Sequence, residues 1–137
     1  MKGGAFHVAQ TEDVVLISDR GETDDTAKSI IQLTPARLLC YNRDARLLWQ
    51  VDAAPCAGFW RTVWCPKLSL WFAVEWPYVD GGPKKVKAFT SEGRLAHEAI
   101  IGDVSEIEFF LQGQCLITSS GEVLELPSLN VLWRFEG

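Results

Sequence analysis

Short runs of apolar or alternating residues, divided by polar turns, extend along the whole chain and predict an all-β fold. They fall into three groups of four: residues 6–9, 14–18, 37–41 and 46–51; residues 59–64, 68–76, 85–89 and 94–100; and residues 107–111, 115–119, 122–126 and 131–135. About twelve antiparallel strands in three four-stranded modules are therefore expected, over roughly 5–52, 58–101 and 105–136 of a single domain, 1–137. The second strand of the middle group is apolar at both parities. Leu68, Leu70, Phe72, Val74 and Trp76 fall on one face, Trp71 and Ala73 on the other. Phe59, Val63 and Cys65 oppose Trp60 and Trp64 in the same way, as Phe109 and Leu111 oppose Phe110. Such strands must be covered on both faces, so the middle module is expected between its neighbours.

Within this pattern a strand, turn, strand unit recurs. Cys40-Tyr41-Asn42-Arg43-Asp44-Ala45-Arg46-Leu47-Leu48-Trp49 aligns without a gap on Ala88-Phe89-Thr90-Ser91-Glu92-Gly93-Arg94-Leu95-Ala96-His97. Leu124-Glu125-Leu126-Pro127-Ser128-Leu129-Asn130-Val131-Leu132-Trp133 follows, with a turn read as one residue shorter. Trp49 and Trp133 share a column and are expected to be equivalent core positions. A unit repeated at this spacing cannot bury its apolar faces alone and stacks on its neighbours.

The apolar pair, polar turn, basic residue, Leu and Trp resemble the last two strands of a β-propeller blade of the quinoprotein or WD40-like kind. His97 stands in place of the aromatic, Ala45 in place of the turn glycine, and Asn42 and Thr90 where such blades often carry Asp. The resemblance implies blade-like modules and no particular activity. Closed propellers typically hold about four to eight blades. Three modules leave three arrangements: an open arc with capped flanks, two chains joined as a homodimeric six-bladed ring, or a propeller-like sandwich.

Residues 19–36 interrupt the first module. Asp24, Asp25 and the residues to Leu33 fit a short helix capped by Thr23 and halted by Pro35; an extra edge strand over residues 29–33 fits as well. Ile30, Ile31 and Leu33 are then expected to cap an open module face.

The chain is 47% hydrophobic with six Trp and seven Phe, which excludes disorder, and no apolar run is long enough to cross a bilayer. The first residues lack the apolar segment of a secretory signal, so a cytoplasmic location is expected. Four cysteines without C-x-x-C pairs indicate free thiols and no metal site. Cys40 and Cys115 fall in apolar strands, while Cys56 and Cys65 flank a strand and are expected to be the exposed pair.

No nucleophile elbow or triad spacing is present, and His97 reads as a packed or rim residue. Asp80-Gly81-Gly82-Pro83-Lys84-Lys85 reads as a turn before it reads as a phosphate nest. No catalytic residue, cofactor or enzyme activity is therefore expected. If the modules are blade-like, the loops joining second to third and fourth to first strands share one edge. Asp19, Glu22, Asp24, Asp25, Asp52, Asp80, Asp103 and Glu106 gather there, offset by Arg20, Lys28, Lys84 and Lys85. A net charge of −5 disfavours nucleic acid and favours a basic protein. The expected function is a protein-binding module contacting its partner through Glu22, Asp24, Asp25, Asp80 and Asp103, with Trp76 and Tyr78 as anchors. Its concrete form is an immunity protein neutralising a bacterial toxin; the alternative is a scaffold or subunit completing a larger propeller or complex.

Overall fold

The computed structural model describes residues 5–24, 31–77, 84–101, 107–110, 114–118 and 121–134. Fourteen strands are found among them. β1 (Ala5–Gln10), β2 (Val14–Asp19), β5 (Arg37–Asn42) and β6 (Leu47–Asp52) form the first sheet, in that order. β7 (Ala57–Cys65), β8 (Leu70–Pro77), β9 (Lys84–Thr90) and β10 (Leu95–Ile101) form the second. β11 (Ile107–Phe110), β12 (Cys115–Thr118), β13 (Glu122–Glu125) and β14 (Val131–Arg134) form the third. Every pairing is antiparallel. The three four-stranded sheets thus follow the three apolar groups of the sequence.

β3 (Glu22–Asp24) and β4 (Ile31–Thr34) form a separate two-stranded ribbon. Asp24 therefore lies in a strand and not in the first turn of a helix capped by Thr23, and β4 pairs with β3 instead of extending the first sheet. The ribbon closes at its base. Gly21 takes a φ of 74°, and a Cβ there would lie 2.4 Å from the Thr34 carbonyl oxygen; the Glu22 N–H donates to Thr34 Oγ1 at 2.7 Å. Residues 25–30, including Ile30 and its expected capping role, lie outside the described residues.

The sheets stand in an open row with the second in the middle. Leu16, Leu38 and Cys40 of the first sheet pack on Phe59, Trp71, Ala73 and Phe89 of the second. On its other face the second sheet presents Cys65, Phe72, Val74, Val86 and Ala88 to Leu116, Leu124 and Leu129 of the third. β8 is buried from Leu70 to Glu75 without alternation because both of its faces meet a neighbour. The first strands lie side by side, with β7 between β1 and β11. No strand pairing joins the first sheet to the third among the described residues, and the row is not closed.

Three local features depart from the sequence reading. A bulge between Trp60 and Thr62 reverses the parity of β7. Phe59 consequently packs with Trp64 toward the first sheet, while Val63 and Cys65 turn toward the third. Both faces of the middle sheet are covered, so Cys65 is buried at either parity; Cys40 and Cys115 are buried too, and of the four cysteines only Cys56 is exposed. Burial raises the pKa of the Cys40 thiol and keeps it protonated. The last hairpin also differs, because its turn is one residue longer and not shorter. Asn42 N–H bonds to Arg46 O and Thr90 N–H to Arg94 O, whereas Glu125 N–H reaches Asn130 O. Trp49 pairs with Cys40, His97 with Ala88, and Trp133 with Val123, so the third member of the Cys40 column is Val123 rather than Leu124.

Trp133 keeps its column but not its burial. Its side chain is 61% exposed, against the expectation of a core position equivalent to Trp49. The cause is its place in the row. Trp49 projects from the first sheet onto the second, whereas Trp133 projects from the third sheet away from the second, where no further sheet stands among the described residues.

Candidate functional site

Two surfaces qualify as candidate sites: the loop edge named by the sequence and the end of the row. The loop edge is real as a place in the fold. Ala53 N–H bonds to Ala36 O at 2.8 Å, and Ala54 N–H bonds to Glu75 Oε2 at 3.2 Å. The connections β4–β5 and β6–β7 and the end of β8 therefore lie together. Glu75 is buried there and pairs with Lys87 Nζ at 2.9 Å.

The charge of that edge is less one-sided than its sequence suggests. In register, Arg37 lies between Asp19 on one neighbouring strand and Asp52 on the other. Its guanidinium bonds Asp19 Oδ2 at 3.0 Å, which ties up one expected acid. Asp52 is exposed and Glu22 half-buried. Asp24 lies in β3 opposite Ile31. Asp25, Tyr78, Asp80 and Asp103 lie outside the described residues. Trp76, next to last in β8, lies opposite Gly58 and is half-buried; the Lys84 ammonium stands 3.5 Å from its ring centroid. This cation–π contact covers one face of the expected anchor. Arg37, which the sequence reading did not single out, is the residue that changes the balance, and only the strand register reveals it.

The end of the row is built from the repeated junction. At the first junction Trp49 Nε1 donates to the Ser91 carbonyl at 2.9 Å, and its indole lies flat on Gly93. A Cβ on Gly93 would stand 2.5 Å from that ring, and the φ of 83° also favours glycine. At the second junction the partners exchange size. His97 occupies the tryptophan column, and Leu129, at a φ of 66° in the corresponding turn position, is buried in the cluster that holds Ala88, the cross-strand partner of His97. Beyond the third sheet the column ends in Trp133. It shares its face with Val123 and Ile117, opposite the Leu116 and Leu124 face that packs on the middle sheet.

Among the described residues no group of three or more His, Cys, Asp or Glu side chains converges as a metal site. No helix among them is long and apolar enough to cross a membrane.

No family model matches the chain, and no curated protein matches it. Among solved structures it is similar to a protein of unknown function from Bacteroides caccae, with 14% sequence identity and a TM-score of 0.63. The similarity covers 98% of this chain and 46% of that one, so the chain spans less than half the length of its structural neighbour. What is shared at this identity is the all-β fold.

Proposed function

We propose that this chain is a non-catalytic protein-binding module, a subunit that completes a larger propeller-like assembly through the exposed end of its row of sheets. One observation carries the reading: Trp133 is exposed at the position where Trp49 docks on the next sheet. Leaving a tryptophan in water at a column built for docking forgoes its burial, and tryptophan is the residue most enriched where interfaces concentrate their energy. A benzophenone amino acid placed at position 133 tests this in cells, with the same group at exposed Leu95 as control. Position 133 is expected to crosslink to a hairpin turn of a blade-like module, and position 95 is not. Adducts equal in pattern at both positions, or none at 133, refute it.

A second reading rests on exposed Asp52 and half-exposed Glu22 at the loop edge: an immunity protein that neutralises a basic toxin through Glu22, Asp24, Asp25, Asp80 and Asp103, with Trp76 and Tyr78 as anchors. Reversing Asp24 and Asp25 to Lys is then expected to slow association with the toxin several-fold at low salt and little at high salt. A rate that is unchanged and insensitive to salt removes the edge from the interface.

A further inference from the structure

We infer that the module received by Trp133 is the first sheet of a second copy of this chain, so that two chains close head to tail into a ring of six four-stranded sheets. The inference rests on the assembly reading above and names its partner.

The two ends of the row carry matching halves of the junction that the chain already makes inside itself. Aligned by strand register, Leu16, Phe72 and Ile117 are counterparts, as are Cys40, Ala88 and Val123, because each pair is joined across its second and third strands. The outer face of the third sheet thus carries half-buried Ile117, buried Val123 and exposed Trp133 where the first sheet turns Leu16, Cys40 and Trp49 to the middle one. The receiving face is matched in the same way. In the columns where the middle sheet buries Trp71, Ala73 and Phe89 against the first sheet, the first sheet holds Val15, Ile17 and Tyr41 on the face turned away from the middle sheet. All three are apolar or aromatic and partly exposed.

The turn that would meet the tryptophan is also present. In residues 90–94, Thr90 Oγ1 accepts from the N–H groups of Glu92 and Arg94, and Gly93 N–H bonds to Thr90 O. In residues 42–46, Asn42 Oδ1 accepts from Asp44 and Arg46, and Ala45 N–H bonds to Asn42 O. Arg43 fixes this turn by donating to the carbonyls of Glu12 and Thr11. The Arg43 carbonyl then stands where Ser91 offers its oxygen to Trp49.

Ala45 replaces Gly93 at the point of closest approach. A methyl at Gly93 would press on the Trp49 ring, yet the second junction holds Leu129 at that turn position, with His97 in the tryptophan column. A tryptophan with an alanine exceeds the Trp49–Gly93 pair by one methyl group. The junction between copies is therefore looser than that one, which suits a reversible assembly.

Six sheets lie within the about four to eight that close a propeller, and two identical head-to-tail junctions close under a two-fold axis. The structural neighbour, of which this chain covers 46%, has the length for two such rows in one polypeptide.

Sedimentation equilibrium of the intact chain over micromolar to millimolar concentration tests the inference, with Trp133→Ala and Ala45→Gly as variants. A monomer–dimer equilibrium is expected. Trp133→Ala should weaken it about a hundredfold, roughly tenfold at each of two junctions. Ala45→Gly should tighten it, a result that a merely structural role for either residue would not give. Strictly monomeric behaviour at millimolar concentration, or a dimer indifferent to both substitutions, overturns the second copy as partner. In that case crosslinks from position 133 to another chain's hairpin still uphold the assembly reading, whereas their absence ends it separately.

Discussion

Trp71→Ala is expected to cost about 3–5 kcal/mol, the usual loss for an aromatic removed from a packed core. Trp71 is 1% exposed on the face of β8 that meets the first sheet, with the Trp64 ring 5.0 Å away between centroids. It lies in the cluster that joins the first two sheets, so its loss opens a cavity along the junction between them. A domain of this size is typically stable by only about 5–15 kcal/mol, which makes this single change a large share of the whole. Guanidinium unfolding followed by tryptophan fluorescence provides the measurement. Trp133→Ala serves as the control and should change monomer stability by less than about 0.5 kcal/mol. Both are to be measured at a concentration where the chain is monomeric, because association adds apparent stability by mass action. Equal losses for the two tryptophans would mean that the end of the row is covered.

The second large effect is expected at the buried ion pair. Lys87→Met should cost about 3–5 kcal/mol, because it removes the charged partner of a Glu75 side chain that is only 5% exposed and also accepts from the Ala54 N–H. Adding Glu75→Gln to Lys87→Met should recover most of that loss, since the penalty arises from the unpaired charge and not from lost contact area. A double-mutant cycle on the same unfolding curves reads both numbers. If the double variant is as unstable as Lys87→Met alone, the pair acts through packing.

Most of the strand order was legible because antiparallel strands announce themselves by parity and by polar turns. The apolar parity of β8 alone placed its sheet in the middle. The errors came from events that leave no mark on that pattern. A bulge adds one residue between Trp60 and Thr62 and inverts everything after it, which is why Val63 and Cys65 face the third sheet and Phe59 the first. The acids and proline around Asp24 suit a helix cap and a hairpin equally, and the local pairing of β3 with β4 decided for the ribbon. The longer last turn was hidden because Leu129 is apolar and buried, like a strand residue.

The candidate sites divide in the same manner. The loop edge was legible as topology, but its charge was not, since the ion pair of Asp19 with Arg37 depends on a register that composition does not contain. The tryptophan column was legible too. That its last member is exposed follows only when the row is known to stop at the third sheet.

The exchange of size between the two internal junctions bears on how such a chain can change over time. Trp49 lies over Gly93, whereas the second junction has His97 in the tryptophan column and Leu129 in the turn, so the modules are not interchangeable parts. Duplicating the middle module would set His97 over Gly93 and leave a void between them. Moving the last module behind the first would drive Trp49 into Leu129. The order of the three sheets is thereby written into the chain as a steric grammar, and any recombination that shuffles them must rewrite a large and a small residue together.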